Sequence, residues 1–346
     1  MTSDAEATTS QDELDVAGLI QWLAGELGKT ITSPEVTRLA AGHSGGAWLI
    51  DLSIDGAPTK LVLKAPVPAG VVYNANASRE AGIVEAARKL GAPLPRVVAV
   101  ASGPEAVGRP CFVLEHIAGR TVIDSTPAGY HGEGWYRDHT ADDQREIWNS
   151  FIDAIAALHN VDGRKIKEAG HQITSGSIEY IEYWRSSLLD VTTAETVPRQ
   201  LAALRWLQDN VPEGGDDNPS VCMGDARLAN AIVDGTTVQA LIDFEVAYLG
   251  NPASDVGYAL FLDTQHRKWT DDPLPGIPAP DETWDRWSER TGFPVVDTAY
   301  WTAFGAMVLC ITATRAMVQW GLAGPAPEET NPLVAEWEKL ITKASR

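Results

Sequence analysis

The segment Val221-Cys-Met-Gly-Asp-Ala-Arg-Leu-Ala-Asn-Ala-Ile-Val233 sets Asp225 and Asn230 five residues apart in a polar loop flanked by apolar residues. Thirteen residues after Asn230, Asp243 stands in Leu-Ile-Asp-Phe-Glu, at the end of a second short apolar run. Two carboxylates and an amide oxygen at adjacent strand ends are hard oxygen donors, which suit Mg²⁺ with bound phosphate. A carboxylate of such a set that makes no metal bond can orient a substrate hydroxyl as catalytic base.

The pattern Gly224-Asp225-x-Arg227-x-x-Asn230, then Ile242-Asp243-Phe244-Glu245-x-Ala247-x-x-Gly250-Asn251-Pro252-x-x-Asp255, resembles the aminoglycoside phosphotransferase and choline kinase-like family. That family is distantly related to protein kinases, and the resemblance runs over roughly residues 36–320. It implies a transfer of phosphate from ATP to a hydroxyl of a small molecule, with Mg²⁺ as cofactor and GTP as compatible with the residues as ATP. It implies Asp225 as catalytic base, Asn230 and Asp243 as metal ligands, and Arg227 as the basic residue that steadies the transferred phosphate. Asp255 would brace the catalytic loop, and Glu245 is a further candidate beside the metal. Met223 departs from the family pattern, which usually has His before Gly-Asp; a methionine can fill the same core volume. The Gly-Asp-Ala-Arg variant is also similar to the branch related to kinase domains of acyl-CoA dehydrogenase fusions, which act on hydroxyacyl thioesters. Such an acceptor would call for basic contacts, with Arg267 and Lys268 as candidates. An aminoglycoside acceptor is less expected, because the last residues here are basic where aminoglycoside kinases tend to be acidic.

These residues need a frame to hold them. The expected fold class is α+β, a bilobal protein-kinase-like fold with a small antiparallel-sheet lobe over residues 1–118 and a larger helical lobe over 119–346; residues 1–12 read as a disordered tail. Apolar spacing predicts a helix over Val16–Leu27, strands over Ala47–Ile54 and Thr59–Ala65 joined at Asp55-Gly56, a helix over 79–90, and strands over Arg96–Ala101 and Cys111–His116. Lys64 ends an apolar strand, poised to reach phosphates, and the resemblance assigns it to the α- and β-phosphates. Glu80 shares a helical face with Ile83, Val84 and Ala87. A glutamate there is costly unless paired, which favours an ion pair with Lys64. Gly42-His-Ser-Gly-Gly46 reads as lying ahead of the first strand; Ser44 and Gly45 are candidate donors to phosphate from a glycine-rich loop. By the resemblance, Glu115, His116 and Ile117 form the connection between lobes whose backbone meets the adenine ring. His159 reads as a satisfied core histidine near the catalytic loop.

Two other function classes compete. Gly42-His-Ser44-Gly-Gly46 also fits the nucleophile elbow of serine hydrolases, but that turn needs a strand before it and a helix after it, and Ala47–Ile54 alternates as a strand. A nucleotide-binding pseudokinase without turnover is the nearer alternative, opposed by the presence of every expected polar residue. In the helical lobe, Trp269, Trp284, Trp287, Trp301, Trp320 and Trp337 are candidates for an aromatic acceptor site or for helix packing. The formal net charge of −20, with most of the excess after residue 118, excludes a uniformly basic nucleic-acid surface and a polybasic membrane anchor. Three cysteines without metal or disulfide spacing point to a reducing, cytoplasmic setting. The apolar run Ala303–Thr314 is read as a buried helix too short for a membrane span.

Overall fold

The computed structural model describes residues 14–39, 46–67 and 70–345. Within them the chain forms two compact units. The first takes in the described residues up to Gly70, with Asn76–Ala81 and Val97–His116; the second takes in Val71–Ala75, Gly82–Arg96 and the residues from Ile117 onward.

In the first unit, helix α1 (Val16–Leu27) precedes strands β1 (Ile31–Arg38), β2 (Ala47–Ile54) and β3 (Ala57–Lys64). Helix α2 (Ala77–Lys89) contributes its first residues, and strands β4 (Val97–Ala101) and β5 (Cys111–Glu115) complete the sheet. All neighbours are antiparallel, in the order β1-β2-β3-β5-β4. The two-residue turn Asp55-Gly56 has φ of 50° and 84°, the backbone sign that the right-handed twist of a tight hairpin demands. It sets the pairing of Ile54 with Ala57 and, at the far end, of Ala47 with Lys64. Period-2 alternation then sends Trp48, Ile50 and Leu52 of β2 and Leu61 and Leu63 of β3 into a core shared with Leu19 and Leu23 of α1. Each such side chain taken from water is worth roughly 1.5–3 kcal/mol.

Strand β1 corrects the sequence reading, which had the glycine-rich segment ahead of the first strand. That segment follows β1 and precedes β2. β1 escapes pattern recognition because most of its residues are exposed and Pro34 and a positive φ at Ser33 interrupt it. It is an edge strand with a register shift between Thr32 and Glu35, a setting in which proline is tolerated. Ser44 and Gly45 lie outside the described residues.

The second unit is mainly helical. It holds α3 (Ala141–His159), α4 (Gly163–Glu168), α5 (Ser177–Leu189) and α6 (Pro198–Asp209). Short strands β6 (Ser220–Cys222), β7 (Ala231–Asp234), β8 (Thr237–Leu241) and β9 (Tyr248–Gly250) follow, and then α7 (Ala253–Arg267), α8 (Pro280–Thr291), α9 (Thr298–Gln319), α10 (Pro327–Thr330) and α11 (Leu333–Ala344). β6 pairs with β9 and β7 with β8, both antiparallel. Helices α7 and α9 cross at two glycines. A Cβ on Gly257 would stand 2.5 Å from the Trp301 carbonyl oxygen, and one on Gly305 would stand 2.5 Å from the Tyr258 nitrogen. Only hydrogen at both positions lets the two backbones approach that closely.

At 22 residues α9 is longer than the apolar run within it. Among the described residues it alone is long and apolar enough to cross a membrane, but 67% of that stretch is buried inside the protein. Trp284, Trp287, Trp301 and Trp337 are buried core residues, whereas Trp269 and Trp320 are more than half exposed. Of the two roles open to the six tryptophans, acceptor site or helix packing, four therefore take packing.

Candidate active site

The loop Met223–Asn230 leaves β6 and enters β7. Its first turn needs Gly224, whose φ is 76° and whose added Cβ would stand 2.7 Å from the Val246 carbonyl oxygen. The Met223 and Gly224 N–H groups both donate to the Asp255 carboxylate, at 2.7 and 3.0 Å. Asp255 is buried in the first turn of α7 and also meets His159 Nε2 at 3.1 Å. The indole nitrogen of Trp287 donates to His159 Nδ1 at 2.9 Å. An indole N–H can only donate, so Nδ1 must accept and the ring proton sits on Nε2, pointed at Asp255. A chain of buried groups from α8 through α3 and α7 thus fixes the start of the loop. Met223 is fully buried beside it.

This bracing aims Asp225. Its Oδ2 accepts from Asn230 Nδ2 at 3.1 Å and lies 3.1 Å from Arg227 Nε. The same amide nitrogen also donates to the Asp225 carbonyl oxygen at 2.9 Å. Oδ1 accepts from the hydroxyl of Tyr258, one helical turn beyond Asp255 on α7. The Asp225 side chain retains 22% exposure, so the carboxylate is recessed yet reachable. Burial pushes its pKa above the ordinary carboxylate value; Arg227 and the Tyr258 hydroxyl oppose that rise, and the charges of Asp243 and Asp124 add to it.

Arg227 joins two acids. Besides Asp225 it reaches Asp124 Oδ2 through Nη1 at 3.0 Å. Burial disfavours its charge, but Asp225 and Asp124 outweigh that and hold the guanidinium protonated.

The hairpin explains why Asn230 and Asp243, thirteen residues apart in sequence, stand at neighbouring strand ends. Ala231 pairs with Leu241, and the Ile242 N–H donates to the Asn230 carbonyl oxygen at 2.9 Å. The residue before β7 and the residues after β8 are therefore neighbours. Asp243 adopts φ of 72°, a left-handed conformation uncommon away from glycine but favoured by Asn and Asp. With its amide nitrogen spent on Asp225, Asn230 has its side-chain oxygen as the atom suited to a cation. That oxygen and the Asp243 carboxylate fit Mg²⁺ in donor chemistry.

The first unit holds its own pair. Lys64 Nζ donates to Glu80 Oε1 at 2.7 Å, and the Glu80 side chain is only 3% exposed. Glu115 closes β5 opposite Leu61, the His116 N–H donates to the Lys60 carbonyl oxygen at 3.3 Å, and half-buried Ile117 begins the next stretch of the second unit. Arg267 and Lys268 are engaged locally, with Asp263 and Glu336, each at 2.6 Å.

Two residues of the site went unnamed in the sequence reading. Tyr258 carried a usable signal, since it lies three residues after Asp255 on one helix. Asp124 carried none, standing in an irregular stretch 103 residues before Arg227.

A family model described as the phosphotransferase enzyme family matches residues 35–291. Among curated proteins, human acyl-CoA dehydrogenase family member 11 is 22% identical over 260 residues, covering 74% of this chain and 32% of that protein. Mouse acyl-CoA dehydrogenase family member 10 is 25% identical over 296 residues, covering 81% of this chain and 26% of that one. The chain thus spans about a quarter to a third of the length of the curated relatives it matches. Among solved structures, a candidate aminoglycoside phosphotransferase of Ralstonia eutropha superposes with a TM-score of 0.69 at 20% identity, over 96% of this chain and 99% of that one. A ternary complex of the aminoglycoside phosphotransferase APH(4)-Ia with ADP and hygromycin B gives 0.57 at 13% identity, over 95% and 99%. Macrolide 2′-phosphotransferase MphH of Brachybacterium faecium gives 0.55 at 15%, over 95% and 98%. At such identities these likenesses establish the fold, the bilobal kinase-like α+β fold.

Proposed function

Because the chain belongs to the phosphotransferase enzyme family, we propose that it moves the γ-phosphate of ATP to a hydroxyl of a small molecule, with Asp225 as catalytic base. The observation that carries this reading is the state of Asp225: recessed, raised in pKa, and held by Asn230, Arg227 and Tyr258 beside Asp243. A carboxylate so held is oriented before a hydroxyl arrives, and positioning is most of what a protein supplies to phosphoryl transfer. Asn230 and Asp243 would hold Mg²⁺, which when bound neutralises charge on the phosphates. Among the described residues no cluster of three or more His, Cys, Asp or Glu side chains is built to hold a metal alone. Such a cation would draw its remaining ligands from nucleotide phosphate and water, the usual habit of Mg²⁺.

Lys64, paired with Glu80, is proposed to contact the α- and β-phosphates. Ser44 and Gly45 are proposed as phosphate donors, and the backbone of Glu115–Ile117 as the adenine contact. Arg227 is proposed to act on the transferred phosphate while keeping Asp225 in place through their ion pair. The relatives named as acyl-CoA dehydrogenases support including hydroxyacyl thioesters among candidate acceptors.

The test is Mg-ATP turnover against a panel of hydroxylated acceptors (aminoglycosides, sugars, hydroxyacyl thioesters), with Asp225→Asn as control. Turnover that depends on both Asp225 and the acceptor is the expected result. Nucleotide binding without turnover above that control would instead establish a pseudokinase.

A further inference from the structure

The Asp225 carboxylate is held at both oxygens by groups from different elements. Oδ2 is served from within its own loop, by Asn230 at 3.1 Å and by the Arg227 ion pair at 3.1 Å. Oδ1 is served from outside the loop, by the hydroxyl of Tyr258 on α7. A carboxylate held on one side only can still rotate about its Cβ–Cγ bond, because that terminal torsion is broad and nearly two-fold. A donor on the second oxygen removes the freedom.

Tyr258 is itself packed in. It is 2% exposed, and it sits one turn beyond Asp255, which anchors the loop through the Met223 and Gly224 N–H groups. Its backbone nitrogen lies where the Gly305 crossing lets α9 press against α7. α7 therefore grips the loop twice, at its start through Asp255 and at its reactive side chain through Tyr258.

We propose that Tyr258 is a positioning residue for phosphoryl transfer: its phenol fixes the plane of the Asp225 carboxylate, so that a lone pair of that carboxylate stands ready for the proton of the acceptor hydroxyl. The inference rests on the reading of Asp225 as base. In the step it serves, the acceptor O–H bond breaks and its proton passes to the Asp225 carboxylate. The freed oxygen pair forms the bond to the γ-phosphorus, and the bond from that phosphorus to the β–γ bridging oxygen breaks, its pair leaving on ADP. Tyr258 keeps its own proton throughout; burial, with the neighbouring Asp225 charge, holds the phenol well above its ordinary pKa, so it acts as a donor only.

The chain supplies a matched control. Tyr130 is an equally buried phenol that donates to another buried aspartate of α7, Asp263, at 3.0 Å. Tyr130→Phe removes the same kind of bond away from Asp225.

The experiment measures ADP release from Mg-ATP with water and with each member of the acceptor panel, together with thermal unfolding, for the unsubstituted protein and for Tyr258→Phe, Tyr130→Phe and Asp225→Asn. Tyr258→Phe is expected to lower kcat about 10- to 100-fold, the cost of a misplaced reacting group, with KM for ATP held within about twofold. Tyr130→Phe is expected to lower Tm comparably and leave kcat in place. If the unsubstituted protein turns over and Tyr258→Phe keeps its kcat within about twofold, or loses no more than Tyr130→Phe, the positioning role is overturned while the kinase reading stands. If the unsubstituted protein releases ADP no faster than Asp225→Asn with water or with any acceptor of the panel, the kinase reading fails and the positioning role falls with it.

Discussion

The carboxylate of Asp255 receives His159 Nε2–H at 3.1 Å on the same oxygen, Oδ2, that takes the Met223 N–H at 2.7 Å. Its other oxygen takes the Gly224 N–H at 3.0 Å. Every donor here is buried and every lone pair used is an oxygen's, so replacing one oxygen with an amide nitrogen sets donor against donor. Asp255→Asn should therefore cost about 1–3 kcal/mol for a stranded buried donor, and lower Tm by several degrees. Because the loop start carries Asp225, turnover should fall at least tenfold in the protein that remains folded. Calorimetry and ADP release on one preparation check both effects, and an unchanged Tm would refute the bracing role.

Lys64 and Glu80 allow stability and activity to be separated. Glu80→Ala removes a buried ion-pair partner from a lysine that is itself only 14% exposed, which should destabilise by up to about 3–5 kcal/mol. The double replacement Lys64→Met with Glu80→Leu removes the charge and its partner together, so most of that stability should return. Activity should not return, because the cation proposed for the α- and β-phosphates is gone. Thermal unfolding and ATP turnover of both variants decide the matter; recovered turnover in the double variant would dismiss Lys64 from nucleotide contact.

What the sequence made legible followed local rules. The Asp55-Gly56 turn and the alternation of Ala47–Ile54 lead directly to the β2–β3 hairpin, and the heptad-like spacing of Val16–Leu27 to α1. The neighbourhood of Asn230 and Asp243 was readable because the hairpin between them is short, with Ala231 facing Leu241. What stayed hidden depended on tertiary contact. β1 is mostly exposed and broken by Pro34, so it has no apolar alternation to read. Asp124 meets Arg227 across 103 residues of chain with no periodicity to announce it. The tryptophans were ambiguous for a different reason: residue type alone does not separate a packing ring such as Trp301, 1% exposed, from an exposed one such as Trp269, 63% exposed.

The α7–α9 crossing makes a prediction about two glycines in opposite settings. A Cβ on Gly305 would stand 2.5 Å from the Tyr258 nitrogen and 2.7 Å from the Ser254 carbonyl oxygen, both backbone atoms that cannot swing aside. Gly305→Ala should push the helices apart at a cost of about 1–3 kcal/mol, and carry Tyr258 away from Asp225. Gly25, inside α1, has nothing within 4 Å of its added Cβ, so Gly25→Ala should instead stabilise by about 0.4–1 kcal/mol. Denaturant midpoints of the two variants should therefore move in opposite directions, with turnover reduced in Gly305→Ala alone. A neutral Gly305→Ala would mean that the crossing is looser than described.

His266 should make the second unit sensitive to mild acid. It is 5% exposed, its ring packs edge-on against Tyr130 at 5.1 Å, and Gly129 lies against the Nδ1–Cε1 edge. Burial pushes its pKa down to about 4, and the neighbouring His131 ring and Arg227 push the same way, against the pull of Asp263. An unfolded histidine titrates near 6.5. Between those values the unfolded chain binds a proton that the folded chain refuses, so stability is fully present above about pH 6.5 and is lost as the pH falls toward 4. The loss should reach on the order of 3 kcal/mol by pH 4, from the size of the shift. Asp263 does not share this window, since its pKa lies below the ordinary aspartate value: burial raises it, but the bond from His131 and the Arg267 charge more than compensate. His266→Phe keeps a ring in the same space and removes the titration. The denaturant midpoint of the unsubstituted protein should fall between pH 7 and pH 4.5, and that of His266→Phe should fall distinctly less; parallel curves would place the acid sensitivity elsewhere.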